Sequence, residues 1–88
     1  KNSSFFADMR YANLTGADLN GAGLIYADLS FVDMRYADLS FVDMRYANLT
    51  GANLSGADLR GVSWNTTTCP DGTNSDSNGD TCENNLTF

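Results

Sequence analysis

The sequence predicts an all-β solenoid, a chain wound into a short coil, on three observations. Residues 6–65 tile into twelve consecutive five-residue units: FADMR, YANLT, GADLN, GAGLI, YADLS, FVDMR, YADLS, FVDMR, YANLT, GANLS, GADLR and GVSWN. Leu or Met fills the fourth place of every unit but the last, which carries Trp64, and Ala or Val fills the second place throughout. A period of five fits neither the 3.6 of a helix nor the 2 of a strand, so either element would scatter this apolar set around its surface. A turn every five residues gathers the set on one side, and tandem repetition of a small unit is the sequence mark of a solenoid.

The pattern A-[DN]-L-x-x, filled at almost every slot over residues 6–65, resembles the pentapeptide repeat family. The resemblance implies a right-handed quadrilateral β-solenoid, one unit to a side and twenty residues to a turn, hence about three coils. At roughly 4.8 Å between stacked strands the regular part would be only about 15 Å tall. It also implies that the second and fourth places point inward and the other three outward. Residues twenty apart then stack in four inner columns: Met9, Leu29 and Leu49; Leu14, Met34 and Leu54; Leu19, Leu39 and Leu59; Leu24, Met44 and Trp64. Ala and Val complete this core and leave no room inside it for a ligand. Trp64 is too large for an interior slot and is expected to spread across the open end as the last rung. It would form one end cap, with Phe5 of the lead-in at the other.

Outside the core, Asp18, Asp38 and Asp58 fall in one column. Like charges at strand spacing repel modestly in water. Short Asx side chains bond turn backbone, and a weak cation ladder is the other use of such a column. Aromatics form a second pattern: Tyr26, Phe31, Tyr36, Phe41 and Tyr46 follow the chain around the middle coil, with Arg35 and Arg45 interleaved. Gly16, Gly21, Gly51, Gly56 and Gly61 hold the same slot elsewhere. Either the rings stack flat along the outside, or they form an exposed girdle that serves as an interaction surface, since contiguous exposed apolar area usually marks one.

Beyond the repeats, residues 66–88 read TTTCPDGTNSDSNGDTCENNLTF, dominated by turn formers. A disulfide between Cys69 and Cys82 would close a loop of fourteen residues, worth roughly 3 kcal/mol in the chain-entropy model. That is a large share of the net stability of so small a core. A zinc site is disfavoured because no His exists and the spacing is wrong. Within the loop, Asn74, Asp76, Asn78, Gly79 and Asp80 resemble the start of an EF-hand-type calcium loop, with Asp71 as an outer ligand. Asn85 stands where a bidentate Glu would complete it. Calcium is thus the one cofactor candidate, set against an Asx-rich turn network that needs no ion.

Three segments follow: a lead-in over 1–5, the solenoid over 6–65 and an acidic, Cys-bridged cap over 66–88. The formal charge is −6, and the last segment carries four acids and no base. This excludes nucleic acid and anionic membrane as partners, which demand a basic face. No apolar run is long enough to span a bilayer and no signal-peptide pattern is found; the chain begins at Lys1, as a processed product or an excised fragment would. Cysteines flanking a polar loop point to an oxidising compartment, periplasmic, extracellular or secreted.

Catalysis needs positioned acid, base or nucleophile groups in a concavity. A chain with no His, one terminal Lys and convex outer faces is not expected to be an enzyme. The segment YADLSFVDMR occurs at 26–35 and again at 36–45, so these units are interchangeable rather than builders of one unique site. What remains is a non-enzymatic structural or protein-interaction module. A solenoid has two raw ends, and KNSSF is a thin cover for the first. End-to-end self-association through that coil, as a dimer or a filament, is the leading expectation. A discrete monomeric module using the aromatic girdle is the alternative. Some family members resemble duplex DNA and bind topoisomerases, but three coils are too short for that and the Arg residues break the charge.

Overall fold

A computed structural model describes residues 7–83 and 86. The unit of construction is a corner. Every fifth residue from Tyr11 to Thr66 has left-handed backbone, with φ from 55° at Thr66 to 73° at Gly56. Each corner is closed by a backbone bond, and all but those at Tyr26 and Thr66 by a second bond. The second-place N–H of the next unit donates to the carbonyl three residues back, as from Ala47 to Met44 at 2.9 Å. The third-place Asp or Asn accepts, through Oδ1, the N–H two residues on, as Asn48 does from Thr50 at 3.0 Å. Positive φ inside a hydrogen-bonded four-residue turn is the feature of a type II turn, whose third residue is normally Gly.

Four such corners return the chain to its starting side. Third-place residues twenty apart are joined by parallel bridges: Asp8 to Asp28 to Asn48 to Thr68 on one side, and Asp18 to Asp38 to Asp58 on another. The columns beginning at Asn13 and Gly23 repeat the pattern. Each rung is held by backbone bonds on both edges; Asn48 N donates to Ala27 O at 3.0 Å, and Leu29 N to Asn48 O at 2.8 Å. The bridges are isolated, and among the described residues none extends into a strand. With a corner every five residues, each side is too short for one.

The core is the stack of second- and fourth-place side chains. In the middle coil Ala27, Leu29, Val32, Met34, Ala37, Leu39, Val42 and Met44 are all 0–1% exposed. In the first coil Met9, Ala12, Leu14, Leu19 and Ala22 are only partly buried. At the other end Leu49, Ala52, Leu54 and Trp64 are buried, while Ala57, Leu59 and Val62 are partly exposed.

One expectation needs correcting here. Trp64 is not the last inward residue. The coil continues one side further: Thr66 makes another left-handed corner, Thr68 bridges Asn48, and Thr67 and Cys69 are both 0% exposed. Cys69 therefore takes the inward slot twenty residues after Leu49. Trp64 fits the core because this extra side and the tail close over it, leaving it 5% exposed. The chain then reverses, with Thr68 bridging Asn74 in antiparallel fashion, and a 3-10 turn follows at Ser75–Ser77.

Candidate interaction surfaces

The outer corners carry the aromatic residues, and the backbone explains their arrangement. Tyr11, Tyr26, Phe31, Tyr36, Phe41 and Tyr46 all occupy the left-handed corner slot. An ordinary side chain there costs roughly 1–2 kcal/mol relative to Gly, so the rings must recover that by packing. They do so along the columns. Tyr26 stacks on Tyr46 with centroids 4.7 Å apart, and Tyr11 on Phe31 at 5.3 Å. Phe31, Tyr36 and Phe41 lie instead against Gly51, Gly56 and Gly61, where an added Cβ would come within 2.4–2.6 Å of a ring carbon. At Gly16 and Gly21 nothing lies within 4 Å of that position. Tyr11, Tyr26, Phe31, Tyr36 and Phe41 each lie against the coil that follows.

Stacking and exposure coexist. Tyr11 is 73% exposed, Tyr36 71% and Phe41 66%, whereas the stacked Tyr26 and Tyr46 are 48% and 45%. The girdle anticipated at Tyr26, Phe31, Tyr36, Phe41 and Tyr46 is thus a set of rings packed by one face and open on the other. Tyr11 belongs to it as well; its place in the corner slot was the signal for including it.

Between the corners, the electrostatics are local. Arg10, Arg35, Arg45 and Arg60 each donate Nε and Nη2 to the carboxylate two residues earlier, with closest contacts of 2.9, 2.8, 2.7 and 2.6 Å. Side-chain donation from Arg35, then its backbone N–H, holds the Asp33 carboxyl down at about 2. The same pairing lowers Asp8, Asp43 and Asp58 below the usual carboxylate range. In the column of three carboxylates, Asp18 accepts the N–H of Asn20, Asp38 accepts the N–H and hydroxyl of Ser40, and Asp58 accepts Arg60. Each of these carboxylates serves its own turn.

The tail is tied across the end of the coil. Cys69 and Cys82 form a disulfide, and both are fully buried. Ser75 is the other anchor, also fully buried: its N–H donates to Thr67 O at 2.8 Å, its hydroxyl donates to Trp64 O at 2.7 Å and accepts Thr67 N–H at 3.0 Å. The Thr67 hydroxyl donates to Met44 O and Trp64 O. Asp76 reaches back to Thr66, accepting its N–H at 2.8 Å and its hydroxyl at 2.9 Å. Sequence reasoning missed Thr67 and Ser75. Counting on by twenty from Ala47 would have reached Thr67, but nothing in the loop composition singles out Ser75.

The residues considered for calcium are distributed through this cap. Asn74 caps the 3-10 turn by accepting Asp76 N–H at 2.8 Å, Asp71 accepts Thr73 N–H at 3.0 Å, and the Asn78 amide donates to Thr73 and to Asn74 O. Asp76 faces Thr66, while Asp80 borders an open recess with Arg45, Ser63, Trp64 and Asn65. Among the described residues no three acidic, Cys or His side chains gather as a metal-ligand set. Phe5, the second expected end cap, lies outside the described residues, as do Phe6 and Asn85.

Comparison with known proteins bears on the whole coil. A pentapeptide repeat protein from Nostoc Pcc 7120, known from its crystal structure, is 26% identical, matching 72% of this chain and 64% of its own, with a TM-score of 0.29. This chain therefore spans less than two thirds of that protein's length. No curated protein matches. The model of the family described as pentapeptide repeats matches residues 6–24 and 24–61 and counts eight copies, where tiling in fives gives twelve units. With more than half its length matched, and a left-handed corner every fifth residue, the chain belongs to the pentapeptide repeat family.

Proposed function

We propose that this chain is a non-enzymatic protein-interaction module of an oxidising, extracytoplasmic compartment, and that it associates with a second copy through its first coil. Pentapeptide repeat proteins are in general structural or protein-interaction modules, and we read this coil as right-handed, as the family's is. The buried disulfide favours an oxidising compartment. Among the described residues no helix is long and apolar enough to cross a membrane.

The observation that carries the reading is the burial gradient along the coil. Inward side chains are sealed in the middle turn, yet Met9, Leu14 and Leu19 remain partly exposed in the first. Solenoids need a polar cap at each end, because an unfinished turn presents apolar side chains and strand backbone together. Light scattering coupled to size exclusion, over a concentration series, tests the proposal. The expected result is a mass that rises with concentration. A mass fixed at the 9.5 kDa of one chain up to millimolar concentration would refute it.

A second reading rests on the open ring faces of Tyr11, Tyr36 and Phe41. It makes the girdle the contact for a different protein, and substituting Tyr36 and Phe41 by Ser would then abolish that contact without changing self-association. The cap loop over 71–80 we read as a turn network held by its own side chains, without an ion.

A further inference from the structure

Each third-place residue inside the coil turns both its N–H and its carbonyl toward the coil before it. Asp28 N donates to Ala7 O at 2.9 Å while Asp28 O accepts Met9 N at 2.8 Å. Asp38 N donates to Ala17 O at 2.8 Å while Asp38 O accepts Leu19 N at 2.9 Å. In the first coil the same pair of groups points out of the end. Among the described residues, the N–H groups of Asn13 and Asp18 meet no acceptor and their carbonyls meet no donor.

This edge selects the way in which it can be paired. In a parallel ladder a residue of this kind bonds the two neighbours of the residue opposite, as Asp28 does with Ala7 and Met9. Two such edges match only when antiparallel, where facing residues exchange both N–H to carbonyl bonds. A two-fold axis laid across the end of a four-sided coil makes every side antiparallel to the side it covers, so two first coils can meet in this way.

Charge and shape choose the register. An axis through the middle of a side lays Asp18 either on Asp18 of the second copy or on that copy's Asp8, and like charges directly opposite one another are destabilising. An axis through a corner avoids both. Through the corner at Gly16 it lays Asn13 on Asp18 of the second copy, and Asp18 on that copy's Asn13. The corner at Tyr11 also avoids facing carboxylates, but it brings two bulky rings together on the axis. At Gly16 nothing lies within 4 Å of the place a Cβ would take. The chain enters the coil at Ala7, beside the corner column of Tyr26 and diagonally across from Gly16. With Asn13 on Asp18, Ala12 faces Leu19 of the second copy and Leu14 faces its Ala17. A small side chain then meets a large one at each inward place, and all four are only partly buried in one chain.

We propose that two copies join first coil to first coil about a two-fold axis through the corner at Gly16, Asn13 of each exchanging both backbone bonds with Asp18 of the other, so that self-association closes at two chains. This rests on the reading of the first coil as a self-interaction surface, and it supplies the register. The contact uses the two sides that flank Gly16. It is small compared with a stable interface, so it forms at high concentration and dissociates on dilution.

The test exchanges the facing side chains in the full chain. The third place takes Asn or Asp alike: Asn13 and Asp18 each accept, through Oδ1, the N–H two residues on at 3.1 Å. Asn13→Asp and Asp18→Asn therefore leave the turns as they are. In Asn13→Asp both facing pairs become two carboxylates, and the dissociation constant of the dimer should rise roughly tenfold. Adding Asp18→Asn returns each pair to one carboxylate, and the double variant should dimerise like the wild type. Sedimentation equilibrium over a concentration series reads all three chains, and the wild-type mass should level off at twice the 9.5 kDa of one chain. The other registers give different results. About the corner at Tyr11 the double variant stays as weak as Asn13→Asp alone, and about the middle of a side it dimerises more tightly than the wild type. Either result overturns the register while leaving self-association intact. So does an Asn13→Asp chain that associates like the wild type, or a mass that climbs past two chains. A wild type that never exceeds one chain overturns both.

Discussion

Substituting Gly51 separates the two ways a corner is stabilised. Gly51 has φ 71°, and a Cβ there would stand 2.5 Å from Cδ1 and Cε1 of Phe31. In Gly51→Ala the left-handed backbone costs about 1–2 kcal/mol. Phe31 is 51% exposed, so roughly 100 Å² of it is covered, worth about 2.5 kcal/mol at ~25 cal/mol per Å². A ring lifted off the backbone loses roughly half of that, about 1 kcal/mol. Restricting the unfolded chain returns ~0.5 kcal/mol. The net is about 2 kcal/mol, a fall in melting temperature of roughly 10–15 °C for a domain of this size. Gly51→Tyr bears the same backbone strain, as Tyr46 does at φ 63°. It can, however, form the arrangement seen between Tyr26 and Tyr46, whose rings lie 4.7 Å apart and within 8° of parallel. Stacking returns about 0.5–1.5 kcal/mol beyond the area buried, so the larger substitution should be the milder one. Thermal melts followed by circular dichroism decide the matter. Equal destabilisation by Ala and Tyr, or an Ala variant that melts like the wild type, would refute ring packing as the reason for the glycine.

Four further outcomes are expected. Replacing Cys69 and Cys82 together by Ala should cost about 3 kcal/mol, read as a lower melting temperature that added reductant does not lower further. Ser75→Ala removes a fully buried hydroxyl that bonds Trp64 O and Thr67 N–H, and should cost about 1–3 kcal/mol; a neutral result would mean the tail is not anchored there. Acid should act through the Asp–Arg pairs. Their folded carboxyl values are lowered, Asp33 to about 2, so their stabilisation is complete above the unfolded value of about 3.9 and is lost as pH falls through the folded one. The melting temperature should hold steady down to about pH 5 and decline between about pH 4 and pH 2, and a profile flat to pH 2 would contradict this. Finally, calcium against chelator should leave both the melt and the calorimetric baseline unchanged, because Asp71, Asn74 and Asp76 already accept protein donors. A binding isotherm would contradict the ion-free reading of the cap.

The columns were legible because a period of five is rigid: once a turn occupies every fifth residue, residues twenty apart must stack. The corner conformation was legible too, though indirectly. Gly16, Gly21, Gly51, Gly56 and Gly61 share a slot with Tyr and Phe, so a slot that suits Gly for its positive φ imposes that φ on the rings. Which rings stack and which cover a glycine follows from the next coil, Tyr46 above Tyr26 but Gly51 above Phe31. The extension past Trp64 was hidden by chemistry rather than by register. Thr67 and Cys69 keep the inward places but replace Ala and Leu, and Thr67 is tolerated there because its hydroxyl finds Met44 O and Trp64 O. The path of the tail was not legible, since Ser75 gains its importance only from the buried carbonyl it meets.

Amide hydrogen exchange at two protein concentrations tests most directly the claim that function lies at the ends of a solid coil. The N–H groups of Asn13 and Asp18 in the first coil, which meet no acceptor among the described residues, should exchange fast in dilute solution and slow down as concentration rises. Leu39 N–H, already bonded to Asp58 O at 2.9 Å, should be equally protected in both. Exchange at Asn13 and Asp18 that is independent of concentration, in samples whose mass does increase, would place the contact elsewhere and contradict the account.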